Sequence, residues 1–213
     1  MESPVYRLFI ERKKGFENEA RRTLTELINF VGVKNLEGLR YFNRYDIEGI
    51  DEETLERAAQ QIFSEPQSDT VYHETIQTAD DETVIAIEYL PGQYDQRADS
   101  AEQCLALLGG ETPQRSATVR CARLFVLKGK LSAADLAKIR AFLINPVDSR
   151  ESDANKPESL AMKTGAPSAV PVLAGFTGMD SASLASFHKK SGLAMDLADI
   201  ARLHETAQFA GVK

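Results

Sequence analysis

Cysteine is scarce in this chain: Cys104 and Cys121 are the two among 213 residues. Two thiols make neither a disulfide framework nor a zinc-ligand cluster, and they point to a reducing, cytoplasmic setting. Long apolar runs are missing as well; none approaches the roughly 18 residues of a membrane-spanning helix. The opening residues Met1 to Pro4 do not lead into the apolar stretch of a secretory signal. Basic charge is not in excess either. The 25 Lys and Arg residues face 32 Asp and Glu residues, a net charge of −7. Wrapping nucleic acid or lying on an anionic membrane needs the opposite sign, so neither partner is expected.

Reactive motifs are equally sparse. There is no Walker-type or dinucleotide-type glycine loop, no nucleophile elbow, no HExxH and no CxxC. His73, His188 and His204 stand alone, and each is expected at a surface or edge rather than in a metal site. Cys104 falls on the apolar stripe of a helix and Cys121 on the apolar face of a strand, so both are expected to be buried structural thiols. No catalytic residue and no metal ligand is assigned.

What is present is globular texture, with 43% hydrophobic and 27% charged residues. Val5 to Arg12 alternates and predicts a half-buried strand. From Glu17, the apolar positions Ala20, Leu24, Leu27, Ile28 and Val31 predict a helix. Leu36 to Glu48 alternates again, a long strand with one core face. Asp51 caps a helix that buries Leu55, Ala58, Ala59 and Ile62, and Pro66 closes it. Thr70 to Gln77 predicts a third strand. The order then recurs: a strand at Thr83 to Leu90, a helix at Ala98 to Leu108 stopped by Gly109-Gly110, and a long strand at Ser116 to Lys128. Ser132 caps a helix carrying Leu136, Ile139, Phe142 and Leu143, and Pro146 closes it.

Gly49 and Gly129, each ending a long strand, lie 80 positions apart. Matched glycines, caps and prolines predict an α+β fold of two strand-helix-strand-helix-strand units, halves 4–78 and 82–151, with antiparallel sheets packed by helices. Such a pair resembles a homodimer fused into one chain about a pseudo-two-fold axis. Residues 1–151 form this domain. Residues 152–213 are expected to hold an extended linker and two short helices capped near Asp180 and Asp196. Leu184 and Phe187 face inward on the first, and Leu197, Ile200, Leu203 or His204, and Ala207 on the second.

Arg40, Arg44, Arg115, Arg120 and Arg123 lie on or beside the long strands. They suit either a phosphate- or partner-binding strip or a solvated sheet face with cross-strand acids, and the latter is expected. The turn Leu90 to Ala101 (LPGQYDQRADSA) is dense in polar side chains; Asp95 can cap a helix, and Gln93, Gln96 and Arg97 can reach a partner.

Those twelve residues resemble a signature of phosphoribosylformylglycinamidine synthase in its long single-chain form. Phe142 to Glu151 resembles the family's next landmark, and Lys156-Pro157-Glu158 and Gly192 to Leu197 resemble later ones. The likeness runs from about Val5 to Gln208. It implies an amino-terminal domain like a fused dimer of the small PurS subunit, followed by a helical linker domain and truncated before the synthetase part. It implies a cytoplasmic, non-catalytic role: organising the downstream synthetase and glutaminase domains and the passage of ammonia between them. The parent reaction is amidation of formylglycinamide ribonucleotide with glutamine as nitrogen source. ATP and magnesium belong to the parent enzyme, and no cofactor is expected on this part. Docking candidates are Gln93, Asp95, Gln96, Arg97, Arg123, Asn145 and Arg150. The alternatives are a stand-alone small-metabolite-binding regulatory domain, with Arg40, Arg44 and Arg123 around a pocket, and a structural oligomer.

Overall fold

Two long strands form the middle of one antiparallel sheet. A computed structural model describes residues 4–108, 117–161 and 172–210. In chain order the first unit contains β1 (Tyr6–Arg12), α1 (Asn18–Asn29), β2 (Leu36–Glu48), α2 (Glu52–Gln61), β3 (Asp69–His73), β4 (Glu82–Tyr89), α3 (Gln96–Leu108), β5 (Thr118–Gly129), α4 (Ala133–Leu143) and β6 (Ser149–Glu151). The fold is α+β, with the six strands in the order β3-β1-β2-β5-β4-β6. That order reads alike from both edges: short strand, first strand, long strand. β2 and β5 pair along their lengths, with Asn43 opposite Arg123 near the middle.

Local chemistry explains the ends of the elements. The Asp51 carboxylate accepts from Thr54 N, and Ser132 and Asp135 form a reciprocal capping box at α4. Gly129 ends β5 at φ +139°, and a Cβ there would lie 2.2 Å from the Asn35 carbonyl oxygen. The turns after α2 and α4 share one hydrogen-bond pattern. Glu65 N donates to the Asp69 carboxylate while Asp69 N returns to Glu65 O. Asn145 N likewise donates to Ser149 Oγ while Ser149 N returns to Asn145 O. β3 is shorter than the expected Thr70 to Gln77 strand, because Glu74 takes a left-handed φ of 62° and turns the chain away.

One sheet face carries the helices. Leu8, Ile10, Tyr45 and Ile47 pack under α2 and α3 through Leu55, Ala58, Ala101 and Leu105. Ile85, Ile87, Phe125 and Leu127 pack under α1 and α4 through Leu27 and Ile139. Each fully buried aliphatic or aromatic side chain contributes about 1.5–3 kcal/mol. Phe142, expected inward, is 45% exposed; Leu136, Ile139 and Leu143 are the α4 side chains that pack on the sheet.

The other face overturns the expectation of a solvated surface. Phe9, Phe42, Leu124 and Val126 form a third buried cluster there. Beside it Arg7, Arg44 and Asp46 are also buried. Residues 152–160 lie along this face and belong to the first unit, Met1–Met162. Arg7 Nη1 donates to Ala154 O at 2.8 Å, Arg44 Nη1 to Asp153 O at 3.0 Å and Arg120 Nη2 to Leu160 O at 2.7 Å. Leu160 N donates to Glu48 Oε2 at 2.7 Å. Strand arginines thus satisfy peptide carbonyls that the covering segment cannot pair within itself. Arg40 does pair across strands as expected, with Glu11, its Nε 2.7 Å from Oε1. Gly109, Gly110, Arg115 and Pro167 to Pro171 lie outside the described residues.

The second unit, Lys163–Lys213, contains a 3₁₀ turn at Phe176–Gly178, α5 (Ser181–Ser191) and α6 (Leu197–Phe209). Asp180 and Asp196 cap the two helices as the sequence predicts. His204 is buried rather than peripheral; Phe176 meets its ring edge-on at 5.6 Å. Leu203 is exposed, since Ile200 and His204, four residues apart, take the inward face; Leu197, at the first position of the helix, is exposed as well.

Candidate functional site

The turn Leu90 to Asp95 delivers the chain into α3 above the middle of the sheet. Asp95 Oδ1 accepts from Arg97 N at 3.0 Å and from Ala98 N at 3.1 Å, which satisfies donors at the start of the helix. This cap orients Arg97 so that its Nη1 donates to Asn43 Oδ1. Tyr41 donates its hydroxyl to the same oxygen at 3.1 Å. Asn43 thereby ties α3 to β2 beside its register partner Arg123.

Next to this contact is a cavity of about 520 Å³. Its floor comes from β4 and β5 through Ile87, Cys121 and Arg123, and one wall from α3 through Arg97, Ser100 and Cys104. Tyr45 and Phe63, with ring centroids 4.7 Å apart, supply an aromatic wall. Burial raises the Tyr45 and Tyr41 phenols above their ordinary range, and the nearby Arg97 charge opposes the rise. Burial also pushes the Cys121 thiol up, reinforced by the negative charge of Asp95. Both phenols and this thiol are therefore neutral at pH 7, so Cys121 is no nucleophile in this setting.

The expected residues divide sharply. Asp95, Gln96, Arg97 and Arg123 all line the one cavity. Gln93 sits exposed on the turn that precedes it. Asn145 is spent on its own turn, donating from Nδ2 to Asp148 at 3.0 Å. Arg150 is paired with Glu88 at 2.7 Å. Arg44 lies on the opposite sheet face, held by Ser152 Oγ at 2.7 Å, so it cannot join Arg123 in a pocket. Arg40 borders a different cavity, beside α1 and β3, with Arg12, Lys14, Glu17 and Tyr72. Cys104 is exposed rather than buried. It sits one position short of Leu105, about 100° around the helix from that inward residue.

Sequence reasoning passed over Tyr45, Phe63 and Asn43 as site residues. Tyr45 reads as plain core alternation, and only the register of β2 against β5 sets Asn43 beside Arg123. Among the described residues no group of three or more His, Cys, Asp or Glu side chains is placed to hold a metal ion. No described helix is long and apolar enough to cross a membrane. No family model matches the sequence, and no curated protein matches it.

Proposed function

We propose that this chain is the non-catalytic amino-terminal part of a phosphoribosylformylglycinamidine synthase, organising synthetase and glutaminase domains around the transfer of ammonia in the cytoplasm. The observation that carries the reading is the use made of the twelve-residue stretch Leu90 to Ala101. Asp95 is consumed in capping α3 and Arg97 ties that helix to Asn43, whereas Gln93 and Gln96 are exposed and make no side-chain hydrogen bond among the described residues. A motif whose amides are left to solvent suits recognition of another surface better than chemistry of its own. The mirror-ordered strands and the twin turns at Glu65 and Asn145 support a fused pair of PurS-like halves. On this reading ATP and magnesium are bound by the synthetase part, and its domains and the glutaminase are the partners.

The test adds the purified chain to a long-form synthase lacking its amino-terminal domain. Glutamine-dependent amidation is expected to rise on addition, while the chain alone hydrolyses neither glutamine nor ATP. Gln93→Ala combined with Gln96→Ala is expected to weaken the association without unfolding the chain. Glutaminase activity in the chain alone, or failure to associate, overturns the proposal. The cavity beside α3 favours a second reading, a metabolite-binding regulatory domain.

A further inference from the structure

The cavity beside α3 has an uneven balance of charge. Two carboxylates line it, and both are already engaged. Glu88 accepts from Arg150 Nε at 2.8 Å and from Ser152 Oγ at 2.6 Å. Asp95 is occupied by the backbone donors of the α3 cap. The two guanidiniums differ. Arg97 reaches Asn43 and the Tyr41 hydroxyl, and with five donors a guanidinium has others to offer. Arg123 makes no hydrogen bond or ion pair among the described residues and faces the cavity from the sheet floor. Asp95 keeps its charge, but with Glu88 paired to Arg150 the two guanidiniums outweigh that single carboxylate, so the balance inside is positive.

The remaining wall is of another kind. Tyr45 and Phe63 present a tilted aromatic pair, with Ile62 beside them. Ser100 adds a hydroxyl on the Arg97 side. About 520 Å³ is room for a small organic molecule, not for a bare ion alone. We propose that this cavity binds a phosphate monoester bearing a ring-sized body, its phosphate between Arg97 and Arg123 and its ring against Tyr45 and Phe63. A phosphate dianion matches two guanidiniums lining one cavity, and the aromatic pair offers a face for stacking. This inference does not rest on the synthase reading; it stands on the lining of one cavity.

Isothermal titration of the full chain at low salt with AMP, adenosine and inorganic phosphate tests it. AMP is expected to bind more tightly than either of the other two, and added NaCl is expected to weaken it. Arg123 is exposed, so Arg123→Ala is expected to fold normally and to bind AMP about tenfold more weakly or worse. Arg123→Lys is expected to recover part of the loss. Arg22→Ala, on the exposed side of α1, is expected to bind as wild type does. AMP is also expected to slow alkylation of Cys104, which lines the same cavity. Binding of AMP no tighter than that of inorganic phosphate or adenosine overturns the proposal, as does unchanged AMP binding in Arg123→Ala.

Discussion

Arg7 and Asp46 meet across β1 and β2 as a forked ion pair, with Arg7 Nε 2.5 Å from Oδ1 and Nη2 2.9 Å from Oδ2. Both residues are almost wholly buried, at 4% and 2% exposure. Arg44 stands on the far side of the same carboxylate, its Nε 3.5 Å from Oδ2. Burial lowers the proton affinity of Arg44, and Asp46 restores part of it. One carboxylate thus holds two buried guanidiniums, which in turn grip residues 153–155.

Removing that carboxylate leaves two buried cations without it. Asp46→Asn is expected to cost about 3–5 kcal/mol, the usual penalty for breaking a buried pair from one side. Urea denaturation followed by circular dichroism measures it. A loss below about 1 kcal/mol places the pair in the class of solvent-screened surface bridges.

Gly129 and Gly32 both have positive φ, but only Gly129 is also crowded, by the Asn35 carbonyl. Gly129→Ala is therefore expected to destabilise by more than the about 1–3 kcal/mol of backbone strain alone. Gly32→Ala, where a Cβ meets nothing, is expected to stay within that range. Parallel thermal melts of the two variants check the order.

Buried Tyr45 and half-buried Tyr41 and Cys121 hold their protons more tightly folded than unfolded. Their contribution is complete below the unfolded values, 9.0 for the thiol and 10.0 for the phenols, and is lost as pH rises above them. On the acid side the order reverses. Hydrogen bonds from Thr54, Ser132 and Ser183 depress Asp51, Asp135 and Asp180 below 3.8, so their contribution disappears as pH falls through the folded values. Urea midpoints between about pH 3 and 11 are expected to fall at both ends. A midpoint that keeps rising above about pH 10 contradicts the assignment of the buried phenols.

The two thiols differ in reach. Iodoacetamide at about pH 8 is expected to alkylate exposed Cys104 first and to reach Cys121 only slowly, because burial keeps the latter protonated. Peptide mass spectrometry after brief labelling reads the difference. Cys104→Ser is expected to change stability by less than about 0.5 kcal/mol.

Short-range pattern determined the elements. Alternation from Leu36 to Glu48 reproduces the limits of β2, and Asp51, Ser132, Asp180 and Asp196 start their helices where side-chain capping demands. These features are legible because each depends on residues within one turn or one pleat. The stretch Leu90 to Ala101 was likewise visible as a polar turn with a helix start. Tertiary packing decided the rest. Whether Cys104 or Leu105 faces the sheet depends on the rotation of α3, and whether Leu203 or His204 turns inward depends on the ring of Phe176. Arg44 reads as a solvated strand residue until residues 152–160 cover it. The cavity beside α3 exists only because the register of β2 on β5 sets Asn43 against Arg123 while the Asp95 cap swings Arg97 toward them. Contacts between residues far apart in the chain leave no local period, and that is why the site emerged from the folded arrangement alone.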